Sequence, residues 1–138
     1  MIHVLGLDHL VLRVSDASRM TRFYCDVLGC KVERQRQELG LIQLRAGQSL
    51  IDLVTIDGEL GAKGGAAPGS EGRNMDHFCL RVEPFDPAAI RARLKAEGIE
   101  ADPPKRRFGA EGYGDSIYFS DPEGNRIELK GASAPEAR

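Results

Sequence analysis

The chain has 138 residues, enough to bury one real core and too few for two independent ones, so its parts are expected to share a single domain. A net charge of -2, with both signs interspersed, gives no electrostatic case for nucleic acid or an anionic membrane and leaves a small molecule as the expected partner. No run approaches the roughly eighteen apolar residues of a membrane span. Met1-Ile2-His3-Val4-Leu5 also lacks the basic start and long apolar stretch of a signal peptide, so a cytoplasmic protein is expected.

The first predicted strand is Leu7 to Val14, whose alternation puts His9, Val11 and Arg13 on one face and Leu10, Leu12 and Val14 on the other. Ser15-Asp16-Ala17-Ser18 offers helix N-caps, and a helix is predicted from Arg19 to about Leu28, where Gly29 ends it. Met20, Phe23, Tyr24 and Val27 form its core stripe. Three strands follow, Lys31 to Gln37, Leu41 to Ala46 and Ser49 to Ile56, with a hairpin turn at Ala46-Gly47-Gln48. This half reads βαβββ.

Residues 57–74 hold six glycines and little that packs, so they read as a linker or a lid-like loop. The second half repeats the order. A strand at about Met75 to Val82 precedes a helix capped by Asp86, running from Pro87 through Glu97 to Gly98. Ile99 to Ala101 is predicted as a short strand, and Lys105 to Asp115, with three glycines among basic and aromatic residues, as a substrate-facing loop. Strands Ser116 to Ser120 and Arg126 to Lys130 then flank the tight turn Asp121-Pro122-Glu123-Gly124-Asn125. The tail, residues 132–138, reads as flexible.

The two halves share a word. Leu7-Asp8-His9-Leu10-Val11-Leu12-Arg13-Val14 returns as Met75-Asp76-His77-Phe78-Cys79-Leu80-Arg81-Val82, identical at five of eight positions. Ile51-Asp52-Leu53-Val54 is likewise echoed by Ile127-Glu128-Leu129-Lys130. A duplicated supersecondary unit is implied, each copy with one imidazole and one carboxylate, residue types that hold metal ions. Two of the three histidines sit at equivalent positions, a coincidence that favours ligands over packed or surface residues; His3 lies outside the repeat and reads as ordinary. Asp8 and Asp76 fall on the opposite strand face from their histidines and read as structural. Arg13 and Arg81 are expected to pair with carboxylates. Cys25, Cys30 and Cys79 match neither a zinc knuckle nor a disulfide framework and read as free thiols. Cys79, whose counterpart is Val11, reads as a small buried filler.

Two βαβββ modules, each with an early His and a late carboxylate, resemble the vicinal oxygen chelate superfamily, the glyoxalase/bleomycin-resistance/dioxygenase group. The resemblance covers residues 5 to 131 and rests on Leu7-Asp8-His9, on Phe23-Tyr24-Cys25-Asp26-Val27-Leu28-Gly29, and on the ending Tyr118-Phe119-Ser120-Asp121-Pro122-Glu123-Gly124-Asn125-Arg126-Ile127-Glu128. It implies an α+β fold in which two modules, about 5–57 and about 75–131, pair into an open barrel around a metal-binding cavity. Carried over by position, His9, His77 and Glu128 match metal ligands, and Asp52 matches a fourth that is glutamate in glyoxalase I. The aspartate is one methylene shorter. The implied cofactor is a divalent ion, Ni, Co, Zn, Mn or Fe, chelated by adjacent substrate oxygens, with Glu128 or Asp52 moving the proton beside a carbonyl.

The segment Arg107-Phe108-Gly109-Ala110-Glu111-Gly112, ahead of Ser116-Ile117-Tyr118-Phe119, resembles a lactoylglutathione-lyase-like subgroup. Arg107 is a candidate clamp for a substrate carboxylate or phosphate, or else part of a solvated basic face, and Tyr113 and Tyr118 are weaker substrate-binding candidates. The implied activity is a metal-dependent lyase or isomerase of glyoxalase type. The alternatives within the resemblance are a ferrous extradiol-type dioxygenase using His9, His77 and Glu128, a thiol transferase of fosfomycin-resistance type, and a non-catalytic binding protein of bleomycin-resistance type. A homodimer is expected, because family modules pair between chains as well as within one.

Overall fold

A computed structural model describes residues 1–134 and divides the chain into two compact units, Met1–Glu71 and Gly72–Arg138. In the first, strand β1 (His9–Val14) leads into helix α1 (Ala17–Arg22), whose first turn is capped by the Asp16 carboxylate accepting from the Arg19 amide at 3.0 Å. The helix continues as one wider π-helical turn, Phe23–Val27, and stops at Gly29, which adopts a left-handed φ of 77°. Strands β2 (Lys31–Arg36), β3 (Leu41–Ala46) and β4 (Ser49–Thr55) complete the unit. The sheet order is β1-β4-β3-β2, with β1 parallel to β4 and the other pairs antiparallel.

Alternation decides which face is core. Leu12, Val14, Leu44, Ile51 and Leu53 bury one side of this sheet, and Met20, Phe23 and Tyr24 bring the helical stripe into the same core. His9, Val11 and Arg13 occupy the other side together with Asp52, the ladder partner of Val11. The expected face assignment holds.

Arg13 departs from its expected role. Among the described residues it meets no carboxylate; its Nε donates to the Gly61 carbonyl at 2.8 Å, Nη1 to those of Gly64 and Ala66 at 3.2 and 3.1 Å, and Nη2 to that of Gly65 at 2.5 Å. The glycine-rich segment turns its carbonyls onto one guanidinium because no side chain at Gly64 stands in the way: a β-carbon there would meet Arg13 at 2.4 Å. We expect Arg13→Met to raise amide exchange at Ala62 and Gly65 by at least about ten-fold, from loss of charge-assisted bonds of roughly 1.5–3 kcal/mol. Exchange in β4 should stay the same; unchanged exchange at Ala62 and Gly65 would show that the guanidinium does not hold this segment.

The second unit repeats the order with β5 (Phe78–Arg81), α2 (Pro87–Ala96), β6 (Lys105–Gly109), β7 (Gly112–Ser120) and β8 (Arg126–Lys130), in sheet order β5-β8-β7-β6. Leu94 of α2, Ile117, Phe119, Ile127 and Leu129 form its core. Two expectations are corrected here. Ile99 to Ala101 forms no strand, because the Ile99 amide donates to Leu94 O and that of Gly98 to Lys95 O, both at 2.9 Å, closing α2 with a glycine cap. Lys105 to Asp115 is no loop. It is the β6–β7 hairpin, paired from Lys105↔Ser116 to Gly109↔Gly112.

Past Gly131, the Ala134 amide still donates to Tyr113 O at 2.9 Å, so residues 132–134 run on beside β7; the rest of the expected tail, 135–138, lies outside the described residues. No helix among the described residues is long and apolar enough to cross a membrane.

Candidate functional site

In the first unit, His9 opens β1 with its Nδ1 2.7 Å from Asp8 Oδ2. An ionised carboxylate accepts, so Nδ1 carries the proton and Nε2 presents its lone pair outward. Asp8, through that hydrogen bond, raises the imidazole pKa above its usual value, and the Asp52 charge adds to the effect. Asp52 is 5% exposed; its Oδ2 accepts from Gln43 Nε2 at 3.1 Å, while Oδ1 is buried with no hydrogen-bond partner among the described residues. A buried acceptor left unpaired costs roughly 1–3 kcal/mol, so this oxygen is suited to a proton or a cation.

The second unit repeats the arrangement and tightens it. His77 Nδ1 lies 2.7 Å from Asp76 Oδ2, and its Nε2 lies 3.1 Å from Glu128 Oε1. Ser116 Oγ donates to the other carboxylate oxygen, Oε2, at 2.5 Å. Burial by itself would raise the Glu128 pKa, but the hydroxyls of Ser116 and Tyr118 and the His77 ring outweigh it and hold the carboxyl below its ordinary range. Tyr118, the ladder partner of Glu128, has its own pKa raised by burial and by that carboxylate. Its ring stands edge-on to His77 at 5.5 Å between centroids.

The sequence-derived candidates therefore separate into groups. His9 and Asp52 share a face of the first sheet, while His77, Glu128, Tyr118 and Arg107 gather on one face of the second. Arg107 places its guanidinium 5.9 Å from the Tyr118 ring centre and donates to the Arg106 carbonyl at 3.0 Å. Tyr113 points to the opposite face, where it packs against Phe108 at 5.1 Å and under Arg106 at 4.0 Å. Arg81 does pair with carboxylates, Glu111 at 2.7 Å and Glu83 at 3.1 Å.

Asp8 and Asp76 are corrected from structural residues to exposed orienters of the histidines that follow them. Cys79 is corrected too. It is exposed rather than a buried filler, and stands opposite Glu128 in the ladder, where surrounding protein and that carboxylate push its thiol up to about 12. Sequence reading passed over Gln43 and Ser116, the groups that fix the two carboxylates. Ser116 carried a signal, since it sits two residues before Tyr118 on the same strand face.

Chemically, each unit offers one imidazole tied at Nδ1 and one buried carboxylate, a nitrogen and oxygen set that suits a borderline or hard divalent ion. The orphaned Asp52 Oδ1 fits a cation. Among the described residues no group of three or more His, Cys, Asp and Glu gathers as a complete site, so each unit presents a pair.

A sequence profile of the glyoxalase/bleomycin resistance protein/dioxygenase superfamily matches residues 6–129, nearly the whole described chain. The chain belongs to that superfamily. Among its relatives is the virulence protein STM3117 of Salmonella typhimurium, 34% identical over 125 residues that cover 89% of this chain and 81% of that one. A probable lactoylglutathione lyase of Synechocystis is 27% identical over 127 residues, covering 89% and 92%. Among solved structures, an integron cassette protein from the mobile metagenome of V. pseudocholerae superposes with a TM-score of 0.75 at 30% identity, covering 97% of this chain and 99% of that one. The two four-stranded sheets with their βαβββ order are thus the superfamily's α+β fold.

Proposed function

We propose that the protein is a metal-dependent lyase or isomerase of glyoxalase type, in which His9, His77 and Glu128 hold a divalent ion, Asp52 serves as the base, and the substrate is a small oxygen-chelating molecule. The observation that carries this reading is the twofold pairing of an Asp-tied imidazole with a buried carboxylate, together with Asp52 Oδ1, which has no partner among the described residues. The name of the Synechocystis relative supports it. The ion, one of Ni, Co, Zn, Mn or Fe, would supply polarisation of two adjacent substrate oxygens.

The chain's own residues do the rest. Asp52 Oδ1, unengaged, takes the proton from the carbon beside the substrate carbonyl and returns it to the neighbouring carbon. Glu128 is held ionised and fixed by Ser116, Tyr118 and His77, so it positions rather than moves. Asp8 and Asp76 set the imidazole orientation. Arg107 and Tyr118 hold the far end of the substrate. The protein is proposed to work in the cytoplasm as a homodimer.

Three activity assays on metal-loaded protein and one binding measurement on metal-free protein separate this reading from its alternatives. Isomerisation of a hemithioacetal is the expected activity. Catechol cleavage under oxygen, thiol addition to an epoxide, or saturable ligand binding that persists without metal would each replace it.

A further inference from the structure

Lys130 is the buried charge that the proposed chemistry does not use. It ends β8 on the same sheet face as Glu128, two residues away, and is only 6% exposed. Among the described residues its ammonium has neither an ion-pair partner nor a hydrogen-bond acceptor. The aliphatic stem is buried, while Nζ is not among the fully buried polar atoms that lack a partner, so the ammonium end is open to a counter-charge.

The surrounding chain is shaped around this side chain. A β-carbon on Gly114 would lie 2.7 Å from Lys130 Nζ, and one on Gly109 would lie 2.8 Å from Cε. Both positions are glycine on the strands that Lys130 crosses, β7 and β6. Gly114 is also the ladder partner of Arg107, so the ammonium rests beside the strand position that faces a second cation. Neighbouring charges do not neutralise the pair. Arg81, the β5 partner of Lys130, uses Glu111 and Glu83, and Glu128 is taken up by Ser116 and His77. Arg107 itself donates to the Arg106 carbonyl and hydrogen-bonds the Tyr118 hydroxyl, and has no carboxylate among the described residues.

We propose that Lys130, with Arg107 beside it, forms an anion subsite that takes a carboxylate or phosphate-type group of the substrate. A planar guanidinium and a compact ammonium are complementary for this purpose, the first grasping two oxygens and the second supplying a point charge. The subsite narrows the substrate class to acidic oxygen chelators. Its assignment to the substrate rests on the glyoxalase-type reading above; its binding of anions does not.

The test uses full-length protein freed of metal by a chelator and titrated in a calorimeter with inorganic phosphate and, separately, acetate. At least one anion should bind wild type, and Lys130→Met should weaken that binding by at least about ten-fold, as expected when one partner of a desolvated charge pair is removed. Lys95→Met, an exposed cation on α2, should leave it unchanged. Gly109→Ala keeps the charge and displaces its stem, and should also weaken binding. Phosphate alone binding marks phosphate-type substrates, and acetate alone marks carboxylates.

With no anion present, Lys130→Met should melt no lower than wild type, since methionine keeps the buried stem and the charge removed has no ion-pair partner among the described residues. A lower melting temperature would make the lysine a structural residue and overturn the proposal. So would anion binding that survives Lys130→Met, or binding of neither anion. The chelator is then dialysed away and a divalent ion added back to the same preparations: anion binding without metal uptake would leave the subsite standing and remove the glyoxalase-type reading.

Discussion

Asp52→Asn is expected to lower turnover in hemithioacetal isomerisation by about 10²–10⁴-fold at saturating metal, the range for losing a positioned general base. The substitution is nearly isosteric, and the amide oxygen still accepts from Gln43. What changes is the other atom: an NH₂ group, a donor, replaces the buried Oδ1 that has no partner. The fold should therefore survive while the proton acceptor is lost. Circular dichroism and steady-state kinetics on the same preparation check both halves. Turnover within about ten-fold of wild type would move the proton step to another group.

Phe119→Ala should produce the largest loss of stability. Phe119 is fully buried in β7, within the core made by Ile117, Ile127, Leu129 and Leu94. Truncating a buried phenylalanine costs about 3–5 kcal/mol, from lost transfer energy and the cavity left behind. Against a total stability of roughly 5–15 kcal/mol for a small domain, this is a large fraction. Urea denaturation followed by circular dichroism should show the midpoint falling sharply with little change in slope. A loss below about 1 kcal/mol would mean that this strand face is not the core of the unit.

The comparison of sequence with structure turns on which interactions leave a periodic trace. Strands β1 and β8 were legible because apolar side chains recur at every second residue, and β3 and β4 because short apolar runs are bounded by turn residues, although β4 and β8 are buried on both faces. The helix caps at Asp16 and Asp86 were legible because a carboxylate there satisfies a free amide. The β6–β7 hairpin was not legible. Lys105, Arg106 and Arg107 are exposed on an edge strand, and Gly109, Gly112 and Gly114 look like loop residues, although Gly109 lies under the Lys130 stem and a β-carbon at Gly114 would meet the Ala132 carbonyl oxygen as well as Lys130 Nζ. Edge strands carry charge without alternation, so backbone pairing alone reveals them.

The candidate site was legible in its residues but not in its supports. The duplicated Asp-His word located His9 and His77. Strand alternation, however, turned Asp8 and Asp76 away from them, whereas each lies just before its strand, where the backbone is free to bring the carboxylate to Nδ1. The contact of Arg13 with four carbonyls was equally hidden, since carbonyls belong to every residue and leave no mark in a sequence.

Metal content decides the central claim. Protein purified without chelator and analysed by elemental mass spectrometry should carry about one divalent ion per chain, and His9→Ala and His77→Ala should each lose it while keeping the wild-type circular dichroism spectrum. If His77→Ala retains as much metal as wild type, the imidazole and carboxylate pairs are not ligands and the proposed chemistry fails.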